Sequence, residues 1–141
     1  MKKYITGDLL HYKICNAKYL IEVTNTSKHG YCFKGVKDDF NGVICDEFIE
    51  DIPLTPEILE KNGWKKEVMN RGVKNSHWVY TKPDIEEYGY FPIYIEKGIG
   101  KEFDVYPFTD NHDCKQIAYI KYIHQLQHLL FGLGLNSEME V

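Results

Sequence analysis

Residues 116–133, QIAYIKYIHQLQHLLFGL, carry the longest hydrophobic periodicity in the sequence. The large apolar residues recur at spacings of three and four, which places them on one face of a helix. They are Tyr119, Tyr122, Ile123, Leu126, Leu129, Leu130 and Leu133. The pattern predicts one long amphipathic C-terminal helix on which the rest of the chain packs. We expect Leu126 and Leu130 to be nearly fully buried.

A second stripe runs beside the apolar face of this predicted helix. Its members are Ile120, His124, Gln127 and Phe131, which follow one another at about i, i+4, i+7 and i+11. A helix with one buried face would carry only polar residues here, whereas this stripe mixes apolar, imidazole and amide groups. Two interpretations stay open: the stripe packs against the N-terminal part of the chain, or it contacts a partner, for which a homodimer is the simplest source. Together with Gln125, these residues are the candidate binding surface.

The N-terminal 52 residues read as short strands that are rich in β-branched and aromatic residues and separated by turn formers. We expect strands at 9–14, 18–23, 30–34, 43–45 and 48–52. Five short strands at this spacing predict a small, strongly bent sheet or a partly open barrel of the SH3-like kind. Such barrels serve many unrelated functions, so this architecture does not specify one.

The sequence Pro53-Leu54-Thr55-Pro56 marks the clearest boundary in the chain. Thr55 suits an N-cap, Pro56 suits the first helical position, and Gly63 suits the residue that ends a helix. A short linking helix is therefore expected at 55–62, followed by a loop at 65–76. Strands are expected at 77–81, 90–96 and 102–108.

The predicted class is α+β. A barrel-like lobe at 1–52 precedes a region at 53–141 that holds the linking helix and an antiparallel sheet covered by the long C-terminal helix. We expect the two regions to form one compact body, because 141 residues suit a single domain.

Charge and cysteine usage narrow the functional classes. The net charge is −4 and Arg71 is the one arginine, so a nucleic-acid-binding barrel is a disfavoured alternative. Four cysteines are scattered without a C-x-x-C pair, and Met1-Lys2-Lys3 does not lead into an apolar run. Reduced thiols in the cytoplasm are therefore expected, and no apolar stretch is long enough for a membrane span.

His124 and His128 form H-x-x-x-H, which places two imidazoles one helical turn apart, where they can share a metal. A hydrolytic site of this type needs a glutamate after the first histidine, but position 125 is Gln. A third ligand from His112, Asp113 or Cys114 is not fixed by any spacing rule. The alternative is a metal- or thiol-dependent enzyme that uses His112, Cys114, His124 and His128, whereas we expect no catalytic residue, no bound metal and no cofactor.

Two stretches together resemble a family of small uncharacterised proteins of gut Bacteroidetes and their phages and prophages. The first is FIEDIPLTPEILEKNGW at 48–64, which matches IPLT-x-E-x-L-x-x-x-G-[FW], and the second is YIKYIHQLQHLL at 119–130, which matches Y-[IV]-H-[EQ]-L-Q. Gly7-Asp8-Leu9 also matches the G-[DN]-hydrophobic strand with which members open. In the family the position of His124 is usually His, whereas that of His128 varies, which disfavours a metal pair. The resemblance implies a phage or mobile-element context in a bacterial cell, and no reaction.

The sequence therefore predicts a small cytoplasmic accessory protein that binds a protein partner or a small ligand without catalysis.

Overall fold

The computed structural model describes residues 3–70, 76–82, 93–98, 100, 102–107 and 116–141. Within these ranges the chain forms two five-stranded antiparallel sheets and two α-helices, so the predicted α+β class is confirmed. The chain divides into two compact units. The first unit comprises Met1–Pro53 and Tyr122–Met139, and the second comprises Leu54–Lys121 and Glu140–Val141.

The sheet of the first unit has the strand order β4-β3-β2-β1-β5, with a 3-10 helix at Asp46–Phe48 before the last strand. β5 returns to pair with β1, where Ile49 lies opposite Tyr12. The predicted barrel is not closed, because β4 and β5 are the two edges of an open sheet among the described strands. The strands are β1 (Leu9–Ile14), β2 (Ala17–Ser27), β3 (Gly30–Gly35), β4 (Asn41–Ile44) and β5 (Ile49–Glu50).

One face of this sheet forms the core of the first unit. Leu10 lies opposite Ile21 and Val23 lies opposite Phe33, so alternate residues of three strands point to the same side. Tyr12, Phe40 and Ile49 pack against this cluster and are partly buried. The buried members are Tyr4, Leu10, Ile21, Val23, Tyr31, Phe33 and Ile44.

The second unit begins with the helix α1 (Pro56–Lys61), which the sequence predicts correctly. The Thr55 hydroxyl accepts a hydrogen bond from the Ile58 N–H at 3.3 Å, and Gly63 has φ +85°, as expected for these helix signals. Leu59 and Trp64 are buried. The chain returns here near its end, where the Asn62 side chain accepts from the Glu140 N–H at 2.7 Å and donates to the Glu140 carbonyl at 2.8 Å.

The sheet of the second unit has the strand order β10-β9-β8-β7-β6. The three predicted strands are present as β7, β8 and β9, but two further strands flank them. The predicted loop at 65–76 contains β6, which has polar and charged residues and lacks the apolar alternation of a half-buried strand. The strands are β6 (Lys65–Asn70), β7 (Ser76–Thr81), β8 (Ile93–Lys97), β9 (Phe103–Pro107) and β10 (Ala118–Ile120).

The prediction of one helix across 116–133 is wrong in its first third. β10 pairs with β9 there, and Tyr122 is still extended with φ −123° and ψ 154°. The helix α2 spans only Ile123–Gly132, 10 residues, and its first turn is held by the Gln125 side chain, which accepts a hydrogen bond from the Tyr122 N–H at 3.1 Å. Leu126 and Leu130 are buried as predicted.

The structure also places α2 in the first unit, with the N-terminal strands, and not in the second unit with the sheet it was predicted to cover. Neither helix among the described residues is long and apolar enough to cross a membrane.

Candidate functional site

The structure separates the members of the predicted binding stripe. Ile120 is buried in β10 of the second unit, whereas His124, Gln127 and Phe131 lie on α2 of the first unit. Ile120 therefore does not share a helical face with the others. Within α2, His124 and Gln127 are buried, but Phe131 is 68% exposed. Gln125 is half-buried at the start of the helix.

Gln127 joins α2 to the N-terminal chain through both ends of its amide. Its Oε1 accepts a hydrogen bond from the Leu9 N–H at 3.0 Å, and its Nε2 donates to the carbonyls of Gly7 at 2.9 Å and Ser137 at 3.3 Å. These bonds satisfy backbone groups at and just before the start of β1, so the amide joins α2 to the N-terminal chain.

The ring of His128 lies within hydrogen-bond distance of a buried carboxylate. Its Nε2 lies 2.9 Å from both oxygens of Asp8, which is 1% exposed. Asp8 also accepts a hydrogen bond from the Ile5 N–H at 2.9 Å. Burial raises the pKa of the Asp8 carboxyl, while the bonds from Ile5 and His128 oppose that shift. Nε2 of His128 is therefore committed to a side chain of its own unit.

His124 lies in the interior of the first unit, with 3% of its surface exposed. Its ring stacks on Tyr122 at 5.9 Å between centroids and meets the edge of Tyr4 at 5.2 Å. Its Nδ1 is 3.7 Å from Oδ1 of Asp51, beyond hydrogen-bond reach, and has no hydrogen-bond partner among the described residues. Asp51 instead accepts hydrogen bonds from the Tyr4 hydroxyl at 2.6 Å and from Nζ of Lys3 at 2.5 Å.

The protonation states in this cluster follow from burial. Burial lowers the pKa of His124 to about 4 although the nearby Asp51 carboxylate opposes the shift, so the imidazole is neutral at neutral pH. Burial and the hydrogen bond to Asp51 raise the pKa of Tyr4 to about 12. Burial alone would raise the pKa of Asp51, but the bonds from Lys3 and Tyr4 outweigh it and hold that pKa below its ordinary value.

This arrangement supplies no activated nucleophile. Tyr4 holds its proton more tightly than a free tyrosine, and His124 has too low a pKa to act as a general base near neutral pH. The cluster instead attaches α2 to the strands of the first unit.

The alternative metal or thiol site involves residues that the structure places differently. The rings of His124 and His128 are 5.6 Å apart and inclined at 69°. A shared metal would have to use Nδ1 of His128 or displace Asp8 from Nε2. His112, Asp113 and Cys114 lie outside the described residues. In the part of the chain that is described, no three His, Cys, Asp or Glu side chains are grouped for a metal.

A surface that the sequence did not single out lies on the second unit. Trp78 on β7 is 56% exposed and pairs directly with Val68 on the edge strand β6, which is 49% exposed. Nζ of Lys66 lies 5.0 Å from the centroid of the Trp78 ring, a cation–π contact. We call Lys66, Val68 and Trp78 the Trp78 surface.

The sequence predicts only part of this surface. Trp78 falls within the predicted strand 77–81, but its direction is not defined unless the neighbouring strand is known. The sequence pattern predicts a loop where that neighbour, β6, lies. A second exposed group, Ile117 and Tyr119, lies at the opposite edge of the same sheet.

Comparisons with models of protein families, with curated proteins and with solved structures found no match to the chain.

Proposed function

We propose that the protein is a small non-enzymatic binding protein whose second unit contacts a protein partner through the Trp78 surface. The observation that carries this proposal is the exposure of Trp78 beside Val68 on adjacent strands. Tryptophan is among the residues most enriched at the energetic centre of protein interfaces, because it buries a large apolar ring and keeps a polar N–H. The positive charge of Lys66 beside the ring lets the surface discriminate between partners by their charge.

Two polar side chains of the first unit support the same proposal because they already hold partners within that unit. Gln127 and His128, which the sequence offered as candidate ligand-binding or metal-binding residues, bond to Leu9, Gly7 and Asp8. His124 is enclosed by aromatic rings. These side chains stabilise the unit, so binding is better assigned to residues that the fold leaves at the surface.

The cellular setting is part of the proposal and rests on the resemblance of the segments 48–64 and 119–130 to proteins of Bacteroidetes phages and prophages. We propose an accessory protein of a phage or other mobile element that acts in the bacterial cytoplasm. A protein of the host or the phage is the expected partner.

The finer architecture of the first unit is also a proposal. We propose that its open sheet is a partly open SH3-like barrel. Two features support this: β5 returns to pair with β1, and a 3-10 helix precedes β5. An experimental structure in which the sheet is flat would contradict it.

The functional proposal is tested by comparing two exposed aromatic residues of one sheet. Tagged wild-type protein, Trp78→Ala and Tyr119→Ala are expressed in the bacterial host, and the proteins that co-purify at stoichiometric levels are quantified. We expect Trp78→Ala to lose the partner while Tyr119→Ala, at the opposite edge, retains it. Both variants should keep the wild-type circular dichroism spectrum. Retention of the partner by Trp78→Ala would refute the proposal.

A further inference from the structure

The Trp78 surface lies beside an open edge of the sheet, and this suggests the form of the partner. We propose that the partner contributes an extended segment, apolar in its first half and acidic in its second, which pairs antiparallel with β6 as a sixth strand. The inference rests on the proposed function, because it specifies what the Trp78 surface binds.

The backbone of β6 is placed for such pairing. Among the described strands β6 has a neighbour only on one side, β7, to which it pairs along its whole length from Lys65 to Asn70. In an antiparallel pair every second residue directs its N–H and C=O away from the partner strand. An edge strand therefore offers a ladder of backbone groups to an incoming segment, and this ladder provides affinity in strand-addition complexes.

The side chains of β6 define two faces for the incoming segment. Lys66 and Val68 share a face with Trp78, because Val68 lies opposite Trp78 and Lys66 lies opposite Tyr80. Lys65 and Glu67 point to the other side. All four of these β6 side chains are exposed. On the Trp78 side, an incoming strand can cover Val68 and the indole with an apolar residue and place a carboxylate next to Lys66.

Charge selects the class of segment. Lys65 and Lys66 outnumber Glu67 on this edge, although the chain as a whole has a net charge of −4. Like charges directly opposite in a sheet are unfavourable, so the two lysines exclude basic segments and protect the edge against pairing with uncharged strands. An acidic segment turns the same lysines into favourable contacts, which gives specificity from one pair of residues.

Two synthetic peptides test the inference on the full-length protein. One peptide is Val-Thr-Ile-Thr-Glu-Glu-Thr, which in antiparallel pairing can place Ile opposite Val68 and the two Glu opposite Lys66 and Lys65, and the other is Val-Thr-Ile-Thr-Lys-Lys-Thr, both with blocked termini. Nitrogen-15 labelled protein is titrated with each and followed by NMR. We expect the acidic peptide to shift the amide signals of β6 and the indole signal of Trp78, and to slow hydrogen exchange at alternate β6 amides. The basic peptide should do neither.

A charge reversal provides the matched control. Lys65→Glu/Lys66→Glu should reverse the preference, so that the basic peptide binds about tenfold more tightly than the acidic one. Lys28→Glu/Lys37→Glu makes the same change in charge at exposed positions of the first unit. That control should keep the wild-type preference for the acidic peptide.

Three results would overturn the inference: no binding of the acidic peptide, binding that shifts signals away from β6, or an unchanged preference after charge reversal. Concentration-dependent dimerisation in analytical ultracentrifugation, abolished by Lys65→Glu/Lys66→Glu, would identify a second copy as the occupant and would also overturn it. In each case the co-purification experiment with Trp78→Ala decides separately whether the Trp78 surface binds a partner, so failure of the inference is distinguishable from failure of the proposed function.

Discussion

Single side chains connect the C-terminal helix to the chain at the start of the first strand, where Gln127 bonds to Gly7 and Leu9. Replacing it with Ala removes the acceptor for the Leu9 N–H and leaves that buried donor unpaired, which costs about 1–3 kcal/mol. We therefore expect Gln127→Ala to lower the free energy of unfolding in urea by that amount. Lys28→Ala, at an exposed turn position, is the control and should change it by less than about 0.5 kcal/mol. An equal effect of the two changes would contradict the role of the amide.

His124 makes stability depend on pH. Its pKa is about 4 in the folded protein against an ordinary value of 6.5, so the unfolded chain binds more protons between these values. The contribution of the neutral His124 imidazole to the free energy of unfolding is fully present above pH 6.5. It is lost as the pH falls towards 4, by up to about 3 kcal/mol. His11, whose pKa is also lowered by burial, acts in the same direction, and Asp8, whose pKa is raised, acts in the opposite one.

The measurement is the free energy of unfolding of wild type and His124→Phe at several pH values between 6.5 and 4. The variant keeps a ring next to Tyr4 and Tyr122 but cannot be protonated. We expect a shallower dependence on pH in the variant, and parallel curves would show that His124 does not titrate in this range.

At the scale of elements, α2 offers an internal comparison. Leu126 is fully buried, whereas Phe131 is exposed on the same helix. Leu126→Ala should reduce the free energy of unfolding by about 2–5 kcal/mol through lost burial and the remaining cavity. Phe131→Ser should change it by less than about 0.5 kcal/mol. A loss in the Leu126 variant below about 1 kcal/mol would mean that the helix is loosely packed.

The helix α1 is stabilised by capping residues close to it in sequence, and a single substitution can remove each cap. Thr55→Ala deletes the cap of the Ile58 N–H and should cost about 1 kcal/mol in thermal or urea unfolding. Ser at the same position keeps a hydroxyl acceptor and should restore most of the stability. A Thr55→Ser variant as unstable as Thr55→Ala would show that the methyl group, and not the hydrogen bond, matters.

These two helices show what the sequence could and could not predict. Thr55, Pro56 and Gly63 act within a few residues, so α1 was predicted with its caps. The segment before α2 depends on a distant partner, because Tyr119 and Ile120 fit the period of a helix but pair with Asp104 and Phe103 of β9. β6 was missed for a related reason, since an exposed edge strand lacks an apolar alternation.

The same limit applies to the candidate site. The sequence pattern singles out His124 and Gln127, both of which are buried, but it contains no sign that Asp51 and Leu9 are their neighbours. The partners lie more than 70 residues away along the chain. Conversely, the sequence pattern does not distinguish Trp78 from other strand residues, because the exposure of its ring depends on how β7 packs in the folded sheet.

At the scale of the whole molecule, the first unit is discontinuous in sequence. The chain leaves it after Pro53 and returns at Tyr122, and these two residues form an antiparallel bridge, followed by a bond from the Ile123 N–H to the Ile52 carbonyl at 3.0 Å. Residues 1–53 alone lack α2 and leave the Leu9 N–H without Gln127. We expect this fragment to be unfolded by circular dichroism and by the dispersion of its amide signals.

Addition of a synthetic peptide covering 122–139 should restore strand structure in the fragment. The same peptide with Leu126→Ala and Gln127→Ala serves as the control and should restore less of it. A fragment 1–53 that folds by itself would show that α2 is an accessory to the sheet and not a part of its core.

The split of the first unit also sets an order of events during protein synthesis. A ribosome releases the strands of residues 9–50 long before it has translated α2, so the apolar face of the nascent sheet must wait for about half of the chain to follow. Most of the second unit emerges in this interval and can fold first. Until α2 is made, the N-terminal strands expose their apolar face, so a stalled or prematurely terminated chain would carry surface that favours aggregation.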